Sequence, residues 1–207
     1  MLTPGGRKCR HVYGAEAQRF EGAKNMSEER EERMAQDLID FKLPRYQELP
    51  NVGLYLEQTT NYLNQCLSPL GDVKLTSSMI SNYVKHGLIS RPQKKLYQTE
   101  QLAELMFIAV AKNVLQLDNL KLAIRIQRQS YDTQTAYDYF CEELENVLRY
   151  VFGLQNELAV VGHDDTEQKH MLRNLIMTVS HKVYLDKYFQ TLSAGESVLS
   201  SPKQSQQ

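Results

Sequence analysis

Residues 75–99 read LTSSMISNYVKHGLISRPQKKLYQT, and this stretch decides the fold. Thr76 reads as a helix N-cap. Met79, Ile80, Tyr83 and Val84 recur at helical spacing and make one apolar face, with Ser78, Ser81, Asn82 and Lys85 on the other. Gly87 stands where a left-handed residue stops a helix, and Leu88 is expected to fold back on Tyr83 as in a Schellman cap. The chain then predicts a small two-strand ribbon, with Ile89 and Leu96 inward, Pro92-Gln93 as the turn and Lys94 and Lys95 near its tip. Thr99 is expected to cap the next helix, with Glu100 at its first position.

Upstream, LPRYQELPNVGLYLEQTTNYLNQCL (43–67) is a proline-broken approach that becomes helical from about Leu54, because a residue before proline is pushed out of the helical region. Ser68 to Asp72 is a loop. SEEREERMAQDLIDFKL (27–43) predicts a charged helix, capped by Ser27 and ended by Pro44. Residues 1–25 are glycine-rich and without period, which predicts disorder, and Met26 reads as the start of translation.

Downstream, the apolar run from Leu102 to Val110 predicts the central core helix. Asp118 is expected to cap the following one, with Leu120 and Ile124 inward. Asp132 caps a further helix carrying the stripe Tyr137, Phe140, Leu144, Val147, Leu148 and Val151, ending near Gly153. A last helix opens at Gly162 to Asp165 and runs to about Leu192, with Leu172, Leu175, Ile176, Val179 and Val183 on one side. The chain thus divides into a disordered extension (1–25), a helix and linker (26–49), a central module (50–130), a C-terminal helical subdomain (131–192) and a disordered tail (193–207).

The chain has 207 residues, 24 Lys and Arg against 25 Asp and Glu, and a net charge of -1. It is no generic polyanion binder, so any nucleic-acid surface must be local. Between Val73 and Thr99 stand Lys74, Lys85, Arg91, Lys94 and Lys95 with no Asp or Glu. A basic window in a neutral chain is the footprint of a phosphate-contact surface; the plain alternative is a solvated basic face. A short helix with a small polar face fits a major groove, where Asn pairs with adenine and Lys with guanine or phosphate. Ser78, Ser81, Asn82 and Lys85 are therefore expected to face the groove, with Arg91, Lys94 and Lys95 on phosphates.

Other chemistry finds little footing. Cys9, Cys66 and Cys141 are far apart, without a CxxC pair, which argues against a disulfide framework or zinc knuckle and for a reducing, cytoplasmic setting. No apolar run approaches the roughly 20 residues that span a bilayer. Phosphate-loop, dinucleotide, serine-hydrolase and zinc-protease motifs are missing, so no enzyme and no cofactor are expected. His163, Asp164, Asp165 and His170 read as a polar helix start rather than metal ligands. Cys66 and Cys141 read as core thiols. Tyr131, Tyr137 and Tyr139 read as core packing, the alternative being the lining of an aromatic pocket.

Tyr83, Gly87-Leu88-Ile89, Pro92, Leu96-Tyr97, Thr99-Glu100, Leu102, Leu105, Phe107-Ile108 and Leu117 to Leu120 resemble, over residues 75–125, the DNA-binding domain of MerR-type regulators. Ser81 and Asn82 stand where that family usually has an Arg-Tyr pair, and Lys95 where it has arginine, so base preference does not carry over. LPRYQELPNVGLYLEQTTNYLNQCL followed by LTSSMISNYVKHGLI resembles the bacterial domain of unknown function 1836 family over about residues 40–190. These resemblances imply a mostly α fold: a MerR-like winged helix-turn-helix with a small β-ribbon wing, then a C-terminal helical subdomain. They imply a transcriptional regulator that binds double-stranded DNA. A homodimer is expected because palindromic sites mirror protein symmetry, with the last helix either the seam or buried within the monomer, and any small-molecule effector is left open. The alternative is a non-enzymatic protein-protein interaction module on the same scaffold.

Overall fold

A computed structural model describes residues 28–162 and 166–199, with side chains as far as Ser193. The expected extension, Met26, Ser27, His163 to Asp165 and the chain beyond Leu199 lie outside the described residues. The helices are α1 (residues 28–35), α2 (Leu56–Leu67), α3 (Ser77–Lys85), α4 (Thr99–Ala111), α5 (Leu117–Ser130), α6 (Thr133–Val151) and α7 (Glu167–Leu199). Short 3-10 turns cover Gln36–Leu38, Tyr46–Glu48 and Ser68–Leu70.

α3 begins and ends as its residues dictate. The Thr76 hydroxyl accepts the Met79 N–H at 3.1 Å, satisfying one of the free amides of the first turn. At the other end Gly87 has φ +70, its N–H donates to the Val84 carbonyl and Leu88 N–H donates to the Tyr83 carbonyl at 2.9 Å. Both bonds of a Schellman motif are present, and Leu88 is buried against the core.

The ribbon expected after α3 is not there: no β-strand occurs among the described residues. The segment makes one bridge, Gln93 with Leu96, and a second from Tyr97 to Leu54. Two causes act. Pro92 has no N–H to give to a ladder, so pairing stops at Gln93. Beyond Leu96, Tyr97 turns away to exchange two hydrogen bonds with Leu54, at 3.0 and 2.8 Å, ahead of α2. The turn is also displaced from Pro92-Gln93 to Lys94-Lys95, whose φ values are +51 and +68, with Leu96 N–H donating to the Gln93 carbonyl at 2.8 Å. Two consecutive positive φ values define a type I′ turn. The winged helix-turn-helix with a β-ribbon is therefore withdrawn as a description of residues 50–130.

Three helix ends also differ from expectation. The α4 N-cap is Gln98, whose N–H donates to Gln101 Oε1, while Thr99 is the first helical residue and its hydroxyl donates to the Pro50 carbonyl at 2.8 Å. The α5 N-cap is Gln116, leaving Asp118 in the first turn, where a carboxylate favours the helix dipole. α7 continues to Leu199, past the expected end at Leu192. Asp132, by contrast, caps α6 as read: its carboxylate accepts from the Thr135 N–H at 2.9 Å and the Thr135 hydroxyl at 2.7 Å.

The charged helix stops at Leu38 rather than Pro44, and the chain just before and after Pro44 is held on α6 instead. Leu43 N–H donates to Glu145 Oε1 at 2.9 Å, Tyr46 N–H donates to Asp138 Oδ1 at 2.7 Å, and the Tyr137 hydroxyl donates to the Pro44 carbonyl at 3.0 Å. Amides taken by carboxylates of another helix cannot serve a helix of their own. The result is a strap, residues 43–46, that runs from extended chain into the Tyr46–Glu48 turn and is bound along α6.

α4 is the centre of the molecule. Leu102, Leu105, Met106, Ile108 and Ala109 are fully buried, and α4 packs against α2, α6 and α7. α6 packs on α7, and α3 rests on α2. One hydrophobic cluster runs from Met34 through α4 to Tyr137, Phe140, Leu144, Ile176 and Val183. Burial of that extent, at roughly 25 cal/mol per Å² of apolar surface, dominates the stability. Among the described residues no helix is long and apolar enough to cross a membrane.

Candidate nucleic-acid interface

α3 is held on α2 by polar clamps as well as by the buried Ile80 and Tyr83. The Asn64 side chain accepts the Leu75 N–H and donates to the Leu75 carbonyl, both at 2.8 Å. The Ser77 hydroxyl donates to Glu57 Oε1 at 2.9 Å and lies 3.0 Å from the Thr60 hydroxyl. Asn64 and Glu57 were not singled out from the sequence. They leave α3 with one face buried and the opposite face outward.

All seven residues expected at the interface are exposed: Ser78, Ser81, Asn82 and Lys85 on α3, and Arg91, Lys94 and Lys95 after it. The α3 set falls at i, i+3, i+4 and i+7, a single stripe. Met79 was expected inward but is 39% exposed, because a nine-residue helix resting on Ile80 and Tyr83 turns the residue before Ile80 away. The Ser81 hydroxyl donates back to the Ser77 carbonyl at 2.9 Å, so its oxygen, not its proton, faces solvent. The N-terminus of α3 has the Glu57 carboxylate beside it through Ser77, so the cationic character of this surface sits at the other end of the helix.

At that end the structure adds residues the sequence reading missed. Lys85, Arg91 and Arg128 line one groove, together with Glu100 and Glu104. Lys121, Arg125 and Arg128 line a second, shallow groove against Gly87 and Leu88, together with Asp118, which lies 3.9 Å from the Lys121 ammonium. Lys121, Arg125 and Arg128 occur at i, i+4 and i+7 on α5, a stripe visible in KLAIRIQR once α5 is known to flank the end of α3. Arg128 also has a structural task. Its guanidinium donates to Glu104 Oε1 through Nε at 2.8 Å and Nη2 at 2.5 Å, and reaches the Leu88 carbonyl at 3.3 Å. Burial pushes the Glu104 carboxyl above its ordinary range, and Arg128 pulls it back.

Other expectations fall away from this surface. Cys141 is fully buried, and burial raises its thiol to about 12, whereas Cys66 is half-buried. Among the described residues no group of three or more His, Cys, Asp or Glu is placed to hold a metal. Of the polar cluster read before α7, only His170 is described.

No curated protein and no solved structure matches the chain. A family model does, over the strap, α2 to α5 and the first part of α6, leaving α1 and α7 outside. The chain is similar, over residues 44–140, to the family described as Domain of unknown function (DUF1836).

Proposed function

We propose that the protein is a DNA-binding transcriptional regulator that places the outer face of α3 against duplex DNA. Ser78, Ser81, Asn82 and Lys85 face base edges, Met79 offers an apolar contact of the kind that reads a thymine methyl, and Arg91, Lys94 and Lys95 hold phosphates. Lys121, Arg125 and Arg128 extend the cationic surface past the end of α3. The observation that carries this reading is the combination of a small polar stripe on an outward helix with cations from two other segments at its C-terminal end. Leu185 and Phe189 on α7, 51% and 60% exposed and one helical turn apart, supply a seam for pairing two chains.

The test is binding of the full chain to the DNA upstream of its own gene, against random duplex, across a salt series. Specific binding is expected, with log affinity falling by about 0.9 per phosphate contact for each log unit of salt. Lys94→Ala with Lys95→Ala should flatten that slope by about two contacts. Absence of binding even at low salt would sink the DNA reading. Met79, exposed in the middle of the α3 face, would then favour α3 as a docking helix for another protein.

A further inference from the structure

A cavity of about 170 Å³ lies between α4, α5, α6 and α7, partly open to solvent. Its wall is overwhelmingly apolar and rich in rings. Phe107 and Phe140, edge to face at 5.5 Å, meet Tyr131, Tyr137 and Tyr139 there. Ile124 and Leu172 complete the apolar surface. A native interior is normally packed with few voids larger than a water molecule, so a void of this size at the meeting of four helices calls for an occupant.

We infer that this cavity is a binding site for an uncharged aromatic molecule of one or two rings, and that its occupancy reaches the end of α3 through Glu104 and Arg128. The size follows from volume: an apolar cavity of about 150 Å³ takes a benzene ring and stays dry without it. The absence of charge on the ligand follows from how the wall's polar groups are engaged. The Tyr137 hydroxyl is committed to the Pro44 carbonyl and the Tyr131 hydroxyl lies 3.0 Å from that of Thr166. The Lys169 ammonium sits over the Tyr139 ring, 4.5 Å from its centre. The Glu104 carboxylate, also in the wall, is neutralised by Arg128. A charged ligand would lose its hydration on a wall that is almost wholly apolar, where Glu104 already has its cation and the Lys169 ammonium already rests on the Tyr139 ring. Five aromatic side chains favour a ring by edge and offset stacking.

The connection to α3 is short and runs through hydrogen bonds. Glu104 lines the cavity, Arg128 holds Glu104 and the Leu88 carbonyl together, and Leu88 is the residue whose amide closes α3. A ligand that shifts Glu104 must move Arg128 and with it the Leu88 peptide. Any consequence for DNA rests on the DNA reading of α3 given above; the binding and the movement at Leu88 do not.

The test uses the full chain, with indole and toluene as probes. The protein has no tryptophan, so indole emission can be excited apart from the twelve tyrosines. Saturable binding with a blue shift of the indole emission is expected, with the amide resonances of Gly87 and Leu88 moving in proportion to occupancy. Ala136→Phe, which fills the cavity from α6, should weaken both probes at least tenfold. Tyr139→Ala, a half-buried wall position less able to disturb the core, should weaken them several-fold. Arg128→Gln leaves the Glu104 carboxylate in the wall without its cation, so it is read at saturating indole, where it should abolish the shift at Gly87 and Leu88. No saturable binding to the folded wild-type chain, or unchanged affinity in both cavity variants, overturns the site. Binding that leaves Gly87 and Leu88 unmoved overturns the connection. None of these readouts contains DNA, so a failure of the DNA reading would leave them as they stand.

Discussion

Leu54 and Tyr97 exchange two backbone hydrogen bonds, at 3.0 and 2.8 Å, and so fasten the chain entering α2 to the chain leaving the Lys94-Lys95 turn. The contact is close enough to need a glycine beside it. A Cβ on Gly53 would lie 2.7 Å from Leu96 Cβ and 2.8 Å from Gln98 Nε2. Leu96 Cβ belongs to the root of its side chain and cannot swing away, so the backbone must move. Gly53→Ala is expected to destabilise the protein by about 1–3 kcal/mol, the usual range for overpacking, seen as a lower urea midpoint. An unchanged midpoint would show that the bridge yields freely.

The Lys94-Lys95 turn invites a substitution that separates stability from affinity. A type I′ turn favours Asn-Gly, because both central residues have positive φ. Lysine in that conformation costs roughly 1 kcal/mol per residue. Lys94→Asn with Lys95→Gly should therefore raise the unfolding free energy by about 1–2 kcal/mol. On the DNA reading proposed above, the same pair removes two phosphate contacts, so affinity for duplex DNA and its salt slope should fall. Thermal unfolding and a salt series on one variant check both, and a loss of stability would contradict the turn geometry.

What the sequence made legible was what is local. The Thr76 cap, the Gly87 stop and the Asp132 cap each depend on residues within one helical turn of one another, and all three stand as read. What it hid depends on distant partners. The chain before Pro44 does not continue as helix into the strap, where Glu145 takes the Leu43 amide, and the ribbon fails because Leu54 takes Tyr97. The interface expectation stopped at Thr99 because the basic window stopped there, and Arg125 and Arg128 join it only through tertiary packing. One signal was available: Glu104 stands inside the apolar run LAELMFIAVA, and a carboxylate in a core helix must find a cation.

That cation defines a further prediction. The Glu104 side chain is 7% exposed and that of Arg128 44%. Arg128→Met leaves a buried carboxylate uncompensated, a loss of about 3–5 kcal/mol for a fully buried pair and less here because the guanidinium is half in water. Glu104→Leu in the same chain should recover most of the loss, since an apolar pair fills the space without a desolvation penalty. A double-mutant cycle by urea unfolding measures this. Equal losses from the two single variants that simply add would show that the pair is not coupled.

The α6 cap carries a pH dependence whose sign is fixed. The Thr135 N–H, then the Thr135 hydroxyl, hold the Asp132 carboxyl below its ordinary value. A carboxyl lowered in the folded protein stabilises it above the pKa of the unfolded chain, about 3.9, and that contribution disappears as pH falls through the lower, folded value. Asp132→Ala should thus destabilise the protein at pH 7, while the difference from wild type narrows below about pH 4. Asp132→Asn, which keeps an acceptor for the Thr135 amide but cannot titrate, should show a difference from Asp132→Ala that does not change over the same range. Urea midpoints of the three proteins at pH 7, 5 and 3 decide it. A wild-type advantage over Asp132→Ala that stays constant to pH 3 would mean that the charge of Asp132 contributes nothing and that the cap works through its oxygen alone.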